Sequence, residues 1–165
     1  MGKATMIFLM AVFAVCCHLD AGAQSYATGK LAYRIPAGWS QNVTENTVTY
    51  TRMSKNEEAP LAIKFFNKAL AGVKHDSAFV HYWKEMVSNG VPPATKPRRI
   101  TTESGLPLLS MHGACTIPQW PYAQLLVAAT EAGMQPVLIL TDKAASLRLY
   151  ADDFEEFIYK MKEKK

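Results

Sequence analysis

Apolar and polar residues alternate from Leu31 to Ile35 and stop at Pro36-Ala37-Gly38-Trp39, which predicts a strand running into a turn, with Tyr33 and Ile35 on one face. Thr47 to Met53 predicts a second strand, rich in Thr and alternating through Val48, Tyr50 and Arg52. A charged turn spans Ser54 to Pro60, after which Leu61, Ile63 and Phe65 share one side of a third strand. The period then changes. Phe79, Val80, Trp83, Met86 and Val87 recur at spacings of one, three, three and one, a helical stripe that Asp76 or Ser77 can cap. Asn89-Gly90 ends this helix, and the proline-rich run from Val91 to Pro97 cannot continue it.

Arg98 to Glu103 predicts another strand, interrupted at Gly105-Leu106-Pro107, and Leu108 to Ile117 resumes as a strongly buried one. Pro118-Gln119-Trp120-Pro121 predicts a turn, Tyr122 to Thr130 a nearly continuous apolar strand, and Glu131-Ala132-Gly133-Met134 a further turn before the last strand, Pro136 to Leu140. Strands joined so closely imply an antiparallel meander. Leu147, Tyr150, Phe154, Phe157, Ile158 and Met161 then mark one amphipathic helix. Asp152, Asp153, Glu155 and Glu156 occupy its polar face, and Lys160, Lys162, Lys164 and Lys165 sit at its C-terminal end, where the macrodipole favours cations. Trp39, Trp83 and Phe157 each fall on the apolar side of their element and are expected in the core. With no internal repeat and no break, residues 24–165 read as a single α+β domain.

The N-terminus reads differently. Lys3 precedes an apolar run from Met6 to Cys17, and Ala21-Gly22-Ala23 offers the small residues a signal peptidase needs, so residues 1–23 are expected to be a signal peptide cleaved after Ala23. The run is shorter than the ~20 residues of a membrane span. The alternatives are acylation of Cys16 or Cys17, against which stand the preceding Val15 and Cys16, and an uncleaved anchor. The expected location is periplasmic or secreted, as for many exported proteins of Gram-negative bacteria. Roughly 142 residues then remain, enough for a core without a disulfide framework, and of three cysteines only Cys115 is left. A net charge of +4 is too small and too dispersed to imply a nucleic-acid partner.

The order of these elements, together with several landmarks, resembles the PsbP-like/DcrB-like family, especially its small exported bacterial members. The landmarks are Tyr33-Arg34-Ile35-Pro36-Ala37-Gly38-Trp39, the helix centred on Trp83, Ser104-Gly105-Leu106-Pro107, Pro136-Val137-Leu138-Ile139-Leu140-Thr141, and Tyr150-Ala151-Asp152-Asp153-Phe154-Glu155-Glu156-Phe157. They run from about Leu31 to Met161. The resemblance implies an α/β/α sandwich, an antiparallel sheet of about six to seven strands flanked by helices. It implies little about function, because the fold serves several unrelated roles, and no family site can be transferred residue by residue.

Chemistry is sparse in the chain. His75 and His81 are six apart, which does not place them on one helix face, and no zinc or calcium ligand pattern is present. His112 and Cys115 are separated by three, so in a strand they point to opposite faces and cannot share a proton. No nucleophile elbow, P-loop or dinucleotide fingerprint occurs. Lys96-Pro97-Arg98-Arg99 is a compact basic cluster without interleaved aromatics, better read as a strand entrance than as a nucleic-acid site. Pro118-Gln119-Trp120-Pro121-Tyr122 stands out, because prolines stiffen a tip carrying aromatics that suit recognition; the alternative is that Trp120 folds back onto the sheet edge, since large aromatics bury most of their area. The expectation is therefore a non-enzymatic binding or accessory domain of the bacterial envelope. Trp120 and Tyr122 are its candidate binding residues, with no catalytic residue, metal or cofactor. The partner is an unknown protein or small ligand, and no stable membrane span remains after cleavage. A component of an envelope or secretion assembly, and a hydrolase with a non-contiguous site, are the alternatives.

Overall fold

The structure, a computed structural model, describes residues 24–52, 60–149 and 151–165, without the side chains of Gln24 and residues 147–153. The expected signal peptide, Met53, the charged turn up to residue 59 and Tyr150 lie outside the described residues, as do the side chains of Leu147, Asp152 and Asp153. The chain runs through β1 (Gln24–Thr28), β2 (Leu31–Ile35), β3 (Ser40–Val43), β4 (Thr47–Arg52), β5 (Leu61–Phe66), α1 (His75–Met86), β6 (Arg98–Thr101), β7 (Pro107–Ile117), β8 (Trp120–Thr130), β9 (Gly133–Thr141), α2 (Ala144–Leu149), α3 (Ala151–Tyr159) and β10 (Lys162–Glu163). Among the described residues, seven strands form one antiparallel sheet in the order β3-β4-β5-β9-β8-β7-β6. A second sheet has the order β1-β2-β10, also antiparallel. The protein is thus a mostly antiparallel α+β fold.

The large sheet buries side chains on both faces. On β8, Ala123, Leu125 and Val127 join a cluster with Phe79, Tyr82, Trp83 and Val87 of the α1 region. Leu126 and Ala128 point the other way, into a cluster with Leu31, Tyr33 and Ile35 of β2 and Phe154, Phe157 and Ile158 of α3. A strand buried on both sides loses its polar alternation, which is why Tyr122 to Thr130 reads as one apolar run. Tyr33 stacks on Phe65 with ring centroids 3.6 Å apart, and Phe157 meets Phe65 edge-on at 5.8 Å. Aromatic pairs of this kind add about 0.5–1.5 kcal/mol each beyond their buried area.

One buried polar side chain joins the two sheets. Gln135 donates from Nε2 to the Thr28 carbonyl at 2.8 Å and to the Phe66 carbonyl at 2.9 Å, and its Oε1 accepts from the Lys30 backbone N–H at 3.0 Å. Gly29, with φ of 58°, lies directly against it: a Cβ there would come within 2.6 Å of Nε2.

Several elements differ from the expectation. Helix α1 starts at His75 after Lys74, which makes no side-chain cap, so Asp76 and Ser77 lie inside the first turn. Its buried face runs through Ala78, Phe79, Tyr82 and Trp83, whereas Val80 is 38% exposed. The C-terminal helix is two helices, and Lys162 belongs to β10 rather than to a helix end. Strands β1, β3 and β10 were not foreseen. In β7 only Leu108, Leu109 and Ser110 are buried, and the outer half alternates between half-buried and exposed. The turn after it is Pro118-Gln119 alone, so Trp120 already belongs to β8. Trp83 and Phe157 are buried, but Trp39 is only partly so.

Candidate functional site

Strands β7 and β8 are each eleven residues long, and near α3 their shared face changes character. Leu108, Leu126 and Ala128 belong to the core on that face. Further along it come Ser110, His112 and Gln124, which line a cleft of about 570 Å³. Register explains the grouping: Arg98 of β6 pairs with Ser110, and His112 pairs with Gln124. Directly opposed residues on one face have Cβ atoms about 4.5–5.5 Å apart, and diagonal neighbours about 7–8 Å. Arg98 therefore flanks Ser110 and lies diagonally from His112. Ile100, Phe154 and Ile158 supply an apolar wall, and Lys96, Glu155 and Tyr159 also line the space.

Within the cleft Ser110 is buried, and its Oγ accepts a 2.9 Å hydrogen bond from Gln124 Nε2. The hydroxyl proton of Ser110 and Oε1 of Gln124 are left without a protein partner among the described residues. A concave space with an apolar wall and a few free polar groups is the usual form of a ligand site.

The basic cluster divides between two faces. Arg99 turns away from the cleft and binds both oxygens of Asp76 at 2.7 and 2.9 Å, linking β6 to the first turn of α1. Both partners are largely exposed, so this pair adds little stability. Lys96 and Arg98 remain at the cleft.

The other candidate groups are dispersed. His75 donates from Nε2 to the Val127 carbonyl at 2.7 Å, whereas His81 lies beside Glu85 on the solvent face of α1. Cys115 is half-buried on the α1 side, where its thiol faces the Met86 carbonyl, while His112 lines the cleft on the α3 side. The two cannot act as a nucleophile and base. Among the described residues no group of three His, Cys, Asp or Glu side chains could hold a metal ion, and no helix is long and apolar enough to cross a membrane.

Trp120 and Tyr122 are not brought together. The β7–β8 register shifts between Ala114 and Ile117, so Trp120 pairs with Ile117 and Tyr122 with Ala114. Trp120 packs against the α1-side core, where with Phe66, Met86 and Ile117 it walls a second groove of about 440 Å³. The Tyr122 ring instead lies 5.9 Å from the ring of His112, beside the cleft. Sequence reasoning passed over Ser110 and Gln124. The signal for them was two polar residues interrupting runs that are otherwise apolar.

No protein-family profile matches the chain. A stretch covering 57% of it is 29% identical to part of the human protein inositol hexakisphosphate kinase 3. The chain spans 27% of the length of that relative. A likeness this partial establishes no shared family.

Proposed function

We propose that this chain is an exported, non-enzymatic binding domain of the bacterial envelope, with the α/β/α sandwich of the PsbP-like/DcrB-like class, and that its ligand occupies the cleft between α3 and β6–β8. The observation that carries the reading is the change of one sheet face from apolar core to free polar groups inside a concave space. The separation of His112 from Cys115 supports recognition rather than bond-making. The test is to incubate the purified protein with native envelope extract, re-isolate it, and identify retained small molecules by mass spectrometry. The wild type should retain a compound unchanged, and Ser110→Leu, which fills the cleft, should not. Conversion of the compound into a product would overturn the non-enzymatic reading.

A second reading rests on Trp120. Its groove lies beside the C-terminal end of α1, where Phe66, Met86, Ile117 and Leu138 form an apolar floor rimmed by polar residues such as Lys64 and Glu85, a surface suited to a protein partner in an envelope or secretion assembly. Under this reading Trp120→Ser releases a co-purifying protein while Ser110→Leu does not.

A further inference from the structure

We infer that the cleft takes a small organic acid. Its carboxylate is held at the β6 wall by Arg98 and Lys96, beside Ser110 and His112, and its apolar body lies against Ile100, Phe154 and Ile158. This rests on the cleft reading above and adds the chemistry of the ligand.

The charges at the cleft are the first ground. Arg98 and Lys96 both line it, and neither has an ion-pair partner among the described residues. The neighbouring Arg99 is already neutralised by Asp76 on the opposite face. A guanidinium presents parallel N–H donors that match the two oxygens of a carboxylate, and the adjoining ammonium adds a second charge. Glu155 is the acidic residue among those lining the space, and it belongs to α3. The cationic wall is therefore at β6 and the residues leading into it, and the head group is placed there, away from Glu155.

The uncharged groups give the second ground. The Ser110 hydroxyl accepts from Gln124, so its own proton is free to donate to an acceptor at the β6 wall. Ile100, two residues from Arg98 and on the same strand face, begins the apolar wall that Phe154 and Ile158 continue. One end of the cleft thus presents cations and a donor, and the α3 side presents hydrocarbon with the exposed Glu155 beside it. A simple inorganic anion would use only the first end.

Three probes of one chain length separate the possibilities: octanoate, octanol and octylamine, titrated into the purified protein and followed by backbone amide chemical shifts. Octanoate should shift Ser110, His112 and Gln124 saturably, with affinity about tenfold or more above octanol. A variant carrying Arg98→Gln and Lys96→Gln, both at exposed positions, should melt as the wild type does and bind octanoate no better than octanol. Equal binding of octanoate and octanol by the wild type would overturn the acid preference and leave the cleft reading standing. Tighter binding of octylamine would overturn it as well, with Glu155 deciding the charge. Shifts confined to other regions, or no shifts with any probe, would overturn both readings.

Discussion

Gln135 is the side chain on which the joining of the two sheets most depends. Replacing it with Ala removes three hydrogen bonds at once: those to the carbonyls of Thr28 and Phe66 and the one from the Lys30 N–H. Each such bond contributes about 0.5–1.5 kcal/mol net, and a buried group left unpaired costs more, so the expected loss is about 2–4 kcal/mol. With a urea slope of about 2 kcal/mol per molar, the middle of the usual range, the unfolding midpoint should fall by about 1–2 M. Gly29→Ala provides the cross-check. The new Cβ would stand 2.6 Å from Gln135 Nε2 at a φ of 58°, so in the wild type it both strains the backbone and displaces the amide. In the Gln135→Ala background only the backbone strain remains, about 1–2 kcal/mol. The two single losses should therefore sum to more than the double loss, by about 1–2 kcal/mol. A loss below about 0.5 kcal/mol for Gln135→Ala, or strict additivity of the pair, would show that the amide does not hold the sheets together.

The other expectations are simpler to check. Trp83 is 6% exposed and stacks on Phe79, so Trp83→Ala should cost about 3–5 kcal/mol in denaturant melts, and a loss under about 1 kcal/mol would mean that α1 packs elsewhere. Both rings are half-buried, but Trp120 packs against the α1-side core whereas Tyr122 lies beside the cleft, so Trp120→Ser should cost about 1–2 kcal/mol and Tyr122→Ser less than about 1 kcal/mol; equal losses would show that the two aromatics share one environment. Burial pushes the phenols of Tyr33, Tyr50 and Tyr82 above the ordinary range. Raised acids of this kind contribute stability that is fully present below about pH 10, the unfolded value, and is lost as pH climbs towards the folded values. Phenolate absorbance from these three tyrosines should accordingly appear with alkaline unfolding, and full titration of all tyrosines near pH ~10 with the circular dichroism still native would contradict it.

Where burial is one-sided, the sequence reads well. Leu31, Tyr33 and Ile35 alternate because one face meets the core, and the structure places a strand there; Leu61, Ile63 and Phe65 are legible too, although Ala62 and Phe66 pack into the core on the other face of that strand. The antiparallel meander of β7, β8 and β9 follows from short turns in the same way. Edge strands leave no such trace: Ser40 to Val43 is exposed throughout, and β10 is two residues within a lysine-rich tail. In helix α1, Phe79, Trp83, Met86 and Val87 pack into the core as their spacing implies, whereas Val80 is apolar but exposed and Tyr82, whose hydroxyl donates to the Met134 carbonyl, is buried. The aromatic tip is divided between two faces for a local reason. Residues two apart in a regular strand share a face, and the irregular register between Ala114 and Ile117 separates Trp120 from Tyr122. The cleft was least legible, since it draws on β6, β7, β8 and α3, whose proximity depends on tertiary packing.

The central claim is that a ligand sits between α3 and β6–β8. A crystal structure of the protein purified from its native envelope, without exchange into competing ligands, tests this most directly. The account predicts a bound molecule whose acidic end lies against Arg98 and Ser110 and whose body lies along Ile100 and Phe154. A molecule held instead in the groove beside Trp120, with the cleft containing only solvent, would contradict it.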